Sequence, residues 1–154
     1  MSLNCNEINL IIQELDLPGS FIQEIVQPGY DTLSFRIINK GRSENLIICT
    51  GASACRMNRS RFKAPKNDKP LRFNEFLRSV VKGMRINECR QLGLDRIIRF
   101  DLSTWKDRCY LYVRLWSGAA NVIVTDTEGK ILDCMFRRPK KGEVSDGMFA
   151  PEEK

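Results

Sequence analysis

The stretch RCYLYVRLW, Arg108 to Trp116, decides the reading of the fold. Its residues alternate. Cys109, Leu111, Val113 and Leu115 share one face, while Arg108, Tyr110, Tyr112, Arg114 and Trp116 share the other, because successive side chains on a strand point to opposite sides. The second face is open to two readings. Aromatics interleaved with arginines can stack bases and clamp phosphates. Equally, the face can be a second buried surface on which arginine stems lie flat.

Similar pieces surround it. SFIQEIVQ, YDTLSFRII, NLIICT and ACRMN read as strands, separated by the turn chemistry of PGYD, NKGRSE and GAS. RINECRQL and DRIIRFDL precede the central stretch, and NVIVTD and KILDCMF follow it. The DTEGK turn joins the last two into a hairpin, with Gly129 at positive φ. Two segments carry helical spacing instead. Asn4 to Asp16 aligns Ile8, Ile11, Ile12 and Leu15, and Leu71 to Lys82 aligns Phe73, Phe76, Leu77 and Val80 before Gly83 stops it. Strands and helices do not alternate as βαβ units, which disfavours a parallel sheet. The sequence predicts an α+β fold, a mainly antiparallel β-sandwich with two flanking helices. Cys109, Leu111, Val113, Phe76 and Val80 belong in its core. One domain is expected over 1–141. From Gly142 onward the pattern stops, so 142–154 reads as a fraying tail or the start of a linker.

The chain has 154 residues, 42% hydrophobic and 29% charged, enough for one domain with a real core. No apolar run approaches the roughly 20 residues that span a bilayer. The first residues lack the basic start of a signal peptide. Six cysteines occur without a CxxC pair, several among apolar neighbours as in LIICT. A disulfide framework belongs to an exported protein; buried reduced thiols fit better here. A cytoplasmic location and no membrane partner are expected. There is no histidine, which removes Ser-His and Cys-His nucleophile systems and the commonest metal ligand. No enzyme activity, metal or cofactor is expected.

The net charge is +6, and it is unevenly spread. Arg56, Arg59, Arg61, Lys63, Lys66, Lys69 and Arg72 face one acid, Asp68, in the basic loop RSRFKAPKNDKP and its flanks. Such a balance favours a polyanion, most simply nucleic acid. The plain alternative is a solvated surface with incidental charge. A second singular spot is QLGLDRIIRF, where Asp95 and Arg96 stand together just after Gly93.

Several strings in order, IVQPGYDTLSFRI, CRMNRS, FLRSVVKGMRINECRQLGLDRIIRF and LYVRLWSGAANVIVTDTEGKIL, resemble the N-terminal domain of the NFACT family. That family includes the fibronectin-binding-protein-A-like factors of bacteria, which act in ribosome quality control. The likeness runs from about Glu7 to Phe136. Gln27-Pro28, Leu77, Arg78 and Gly83, the GLDRI string and Asn121 are its most specific parts. It implies a fold similar to the N-terminal domain of formamidopyrimidine-DNA glycosylases. It implies downstream helix-hairpin-helix, coiled-coil and RNA-binding domains in the parent chain. It also implies binding to an obstructed large ribosomal subunit, to tRNA and to peptidyl-tRNA, with C-terminal alanine tailing of the nascent chain. The Asp-Arg pair that the family uses toward tRNA matches Asp95 and Arg96. Arg96 would fork onto phosphate or stack on a base, and Asp95 would accept from a base edge or a 2′-hydroxyl. The bland alternative is a pair that opens a strand. Arg114 and Ser117 depart from the family, which often has Glu and Gly there. The glycosylase likeness does not extend to chemistry, since the N-terminal proline amine and glutamate of those enzymes are absent. Two competing readings remain, a glycosylase-like DNA-repair domain and a fibronectin-binding surface adhesin.

Overall fold

The computed structural model describes residues 4–51, 55–61, 65, 71–116, 118–149 and 151. Helix α1 spans Cys5–Leu15. Asn4 caps it: its side chain accepts from the Glu7 amide at 2.9 Å, and the Glu7 carboxylate accepts from the Asn4 amide at 3.1 Å. Four strands follow, β1 (Phe21–Gly29), β2 (Thr32–Asn39), β3 (Arg42–Cys49) and β4 (Arg56–Ser60). Helix α2 spans Arg72–Val80. Five more strands complete the fold: β5 (Arg85–Gln91), β6 (Ile97–Ser103), β7 (Arg108–Arg114), β8 (Asn121–Thr125) and β9 (Ile131–Cys134).

Hydrogen bonding makes these strands one antiparallel nine-stranded sheet, ordered β4-β3-β2-β1-β5-β6-β7-β8-β9. The expected α+β fold, mainly antiparallel with two helices, is present, and its strands form one continuous sheet. The reason lies at the β1/β5 junction, where a single ladder pair, Phe21 with Arg85, joins two wings. The two strands are antiparallel and overlap only at their starts, so they leave the junction in opposite directions. The wings still share one core, with Leu33, Phe35 and Ile48 from one and Ile98, Phe100 and Leu111 from the other. Each such side chain contributes about 1.5–3 kcal/mol on full burial. The helices close the seams. α1 touches β4 and β5, and α2 touches β1 and β9. Two arginines fix α2. Arg72 donates to Asp133 at 2.5 Å and to the Cys134 carbonyl at 3.0 Å, and Arg78 donates to the Ile25 carbonyl at 3.3 Å.

Cys109, Leu111 and Val113 are buried as expected, while Phe76 and Val80 pack on the core only half-buried. The other face of β7 is covered as well. Tyr112 joins Leu92, Ile97, Ile123, Ile131 and Cys134 in a second cluster, with Phe149 packed on it. The buried reading of that face holds at Tyr112 and Arg114, while Tyr110 and Trp116 are half-buried and Arg108 is exposed. Phe149 also corrects the expected fraying tail. Ser145 and Asp146 bond to strand β9, Lys130 bridges Met148, and Glu143 is buried. Polar composition hid this docking because the anchors are single residues rather than a periodic stripe. All six cysteines are unbonded. Burial pushes the Cys89 and Cys109 thiols up to about 12, which leaves them inert at neutral pH.

Candidate nucleic-acid interface

The GLDRI loop links β5 to β6 and is held from three sides. Gly93 and Arg96 both take left-handed backbone, at φ 56 each. For an arginine this conformation costs about 1–2 kcal/mol, so surrounding bonds must enforce it. Gln91 supplies one. Its Oε1 accepts from the Arg96 amide at 3.1 Å, while its Nε2 donates to the Cys5 carbonyl and Asn9 Oδ1 of α1 at 2.8 and 2.9 Å. The strand across the ladder supplies two more. The Leu115 amide donates to the Arg96 carbonyl at 3.0 Å, and Trp116 Nε1 donates to the Asp95 carbonyl at 2.5 Å. Sequence reading missed Gln91 and Trp116 as supports; both act through long-range bonds that no local spacing announces.

Asp95 and Arg96 precede the first strand residue, Ile97, so strand alternation does not set them on opposite faces. Both are half-buried. The Arg96 guanidinium has no hydrogen-bond or ion-pair partner among the described residues. It lies within electrostatic reach of Cys55, the residue before β4. Burial pushes that thiol up, neighbouring Cys49 adds to the rise, and Arg96 opposes it.

The expected basic surface begins beside Cys55. Arg56 is exposed and donates to Asn58 at 2.6 Å; Arg59 is exposed and 3.6 Å from Glu44; Arg61 is exposed just beyond the strand. By strand alternation Arg56 and Arg59 leave β4 on opposite sides. Lys63, Lys66 and Lys69 lie outside the described residues.

Arg114 behaves otherwise. Its Nη2 is 2.7 Å from Glu143 Oε1, and each side chain is 7% exposed. Its Nε donates to the Ala119 carbonyl at 2.9 Å. Asn121, wholly buried, donates to the same Glu143 oxygen and clamps the Phe136 backbone on both sides. Burial alone would raise the Glu143 carboxyl. Hydrogen bonds from Asn121 and Arg114, with the charges of Arg114 and Arg138, outweigh it and hold the group below the usual glutamate value. The departure at Arg114 is thus an internal ion pair, closed by a residue from the expected tail.

The family description "NFACT N-terminal and middle domains" matches residues 7–144. The chain belongs to the NFACT family. Among similar proteins, the ribosome quality control complex subunit NEMF of Mus musculus is 31% identical over 150 residues, 96% of this NFACT chain and 14% of that protein. The Rqc2 homolog RqcH of Bacillus subtilis is 29% identical over 121 residues, 75% of this chain and 21% of its own length. This NFACT chain therefore spans less than a quarter of either relative. The N-terminal part of the fibronectin/fibrinogen-binding protein from Streptococcus suis superposes with a TM-score of 0.90 at 22% identity, covering 99% of this chain and 62% of that one. The N-terminal domain of the fibronectin-binding protein PavA from Streptococcus pneumoniae gives 0.86 at 21%, covering 97% and 62%. At such identities the solved structures speak for the NFACT fold alone. No helix among the described residues is long and apolar enough to cross a membrane.

Proposed function

We propose that this domain is the RNA-engaging N-terminal part of a ribosome quality-control factor. In this reading the Asp95–Arg96 loop contacts tRNA on an obstructed large ribosomal subunit and supports C-terminal alanine tailing of the stalled chain. The observation that carries it is Arg96: a half-buried residue whose guanidinium has no partner among the described residues, on a backbone held in a costly conformation by Gln91, Leu115 and Trp116. A structural arginine would have its fork filled, as Arg114 does. Arg56, Arg59 and Arg61 supply phosphate contacts nearby, and the relatives named for ribosome quality control support the setting. The domain binds and orients rather than catalyses, acts in the cytoplasm, and is followed in the parent chain by helix-hairpin-helix, coiled-coil and RNA-binding domains. The likeness to glycosylase N-terminal domains is proposed for fold only. The adhesin reading has one observation in its favour, the fibronectin-binding names of the solved relatives.

The test is a tailing assay on obstructed large subunits with the parent protein. Arg96→Ala is expected to weaken tRNA association by about 1–3 kcal/mol, the size of a lost charge-assisted contact. Asp95→Ala is expected to impair tailing too. Neutralising Arg59, Arg61 and Lys63 together should flatten the salt dependence of binding. Full tailing by both loop variants sinks the proposal, and fibronectin binding that depends on Arg96 would favour the adhesin.

A further inference from the structure

The most exposed aromatic among the described residues lies far from this loop. Trp105, 93% exposed, stands at the tip of the β6–β7 hairpin. The tip is pinned rather than slack. The Thr104 amide donates to the Asp107 carbonyl at 2.8 Å, and the Thr104 hydroxyl accepts from the Asp107 amide at 3.0 Å. An indole held out into water on a fixed turn gives up the favourable burial open to so large an apolar group.

Trp105 also lines a cleft of about 710 Å³ between the start of β1, the α2–β5 turn and the β6–β7 tip. Phe21, half-exposed on β1, lies along it with Lys82, Arg85 and Lys106. One acid, Asp107, lines it. The Lys106 ammonium is 5.9 Å from the Trp105 ring. Two exposed aromatics among three cations match a strand of unpaired nucleotides, whose bases stack and whose phosphates pair with ammonium and guanidinium groups. A flat acidic protein surface would use the cations but leave both rings without partners.

We infer that the Trp105 tip and the Phe21 cleft form a second RNA contact, which takes two or three unpaired nucleotides, one base stacked on Trp105. It draws on the function proposed above only in taking RNA as the polymer. The two contacts are separate, because β6 runs between them and seven strand residues span about 20 Å. One structured RNA could engage both ends.

The test titrates a 5′-fluorescein-labelled eight-nucleotide oligouridylate with the 154-residue chain and reads fluorescence anisotropy, which does not depend on Trp105 as reporter. A saturable rise in anisotropy is expected. Trp105→Ala should weaken binding at least about fivefold, in the range for a lost base stack. Trp105→Phe should restore most of it, and melting curves of both should match the parent. Joint replacement of Lys82, Arg85 and Lys106 by Ala should flatten the salt dependence. Arg96→Ala should bind the oligonucleotide normally. Loss of tRNA association in Arg96→Ala with normal oligonucleotide binding supports two sites. Normal tRNA association in that variant, with weak oligonucleotide binding in Trp105→Ala, removes the loop proposal and leaves this one standing. Unchanged oligonucleotide binding in Trp105→Ala overturns the inference.

Discussion

Two arginines sit almost side by side and have opposite fates. Arg114 is the ladder partner of Ile97, and Arg96 immediately precedes Ile97. Arg114 is sealed against Glu143, whereas Arg96 is half-buried with a fork that has no partner among the described residues. The first arginine is part of how the domain holds together. The second is a group for which the fold bears a backbone cost while its fork meets no partner among the described residues. The difference separates folding from recognition within a few ångströms of chain.

The largest effect should come from breaking the buried pair. Glu143→Ala strands the Arg114 charge and is expected to cost about 3–5 kcal/mol, a fall in melting temperature on the order of 10 °C. The double variant Arg114→Leu/Glu143→Leu should recover much of that loss, since apolar replacement of both partners is often neutral. A single-variant cost under about 1 kcal/mol would mean that Arg114 simply turns to solvent, and the contrast with Arg96 would lose its meaning.

Acid should probe the same pair more gently. The folded Glu143 carboxyl titrates below its unfolded value. Its contribution is therefore fully present above the ordinary glutamate range and is lost as pH falls through the lower, folded value. Melting temperature should drop with acid in that window, and the drop should be smaller in the double leucine variant. Identical pH profiles would remove Glu143 as the titrating group.

The smallest effect belongs to Arg96. Arg96→Gly relieves about 1 kcal/mol of left-handed strain while adding about the same in unfolded-chain freedom. Stability is expected to hold within about 0.5 kcal/mol while tRNA association falls. A marked loss of stability would make Arg96 a structural residue like its neighbour.

The elements of this domain were legible because their signals are local. RCYLYVRLW alternates, DTEGK turns at Gly129, and Ile8, Ile11, Ile12 and Leu15 recur at helical spacing. What stayed hidden depends on partners far along the chain. Arg114 and Glu143 are 29 residues apart, so nothing near Arg114 announced which residue would cover it. The continuity of the sheet rests on the β1/β5 junction, where residues 19–22 exchange backbone hydrogen bonds with residues 83–86 far along the chain, and no local pattern announces it. The Asp95–Arg96 loop was found through family likeness, but its supports were not, since Gln91 reaches back to Cys5.

That single junction also shapes how the chain finds its fold. Apart from it, every strand pair in the sheet joins sequence neighbours, so each wing can zip up hairpin by hairpin over short distances. The junction instead closes a span of 85 − 21 = 64 residues, at an entropic cost of about 4 kcal/mol by loop-closure scaling. The barrier to folding is expected to lie in bringing the two finished wings together. In stopped-flow refolding, trimming Ile22 or Ile86 to Val at the junction should then slow folding less than it speeds unfolding, if docking follows the barrier, or slow folding outright if docking is the barrier. The second outcome is the one this topology favours.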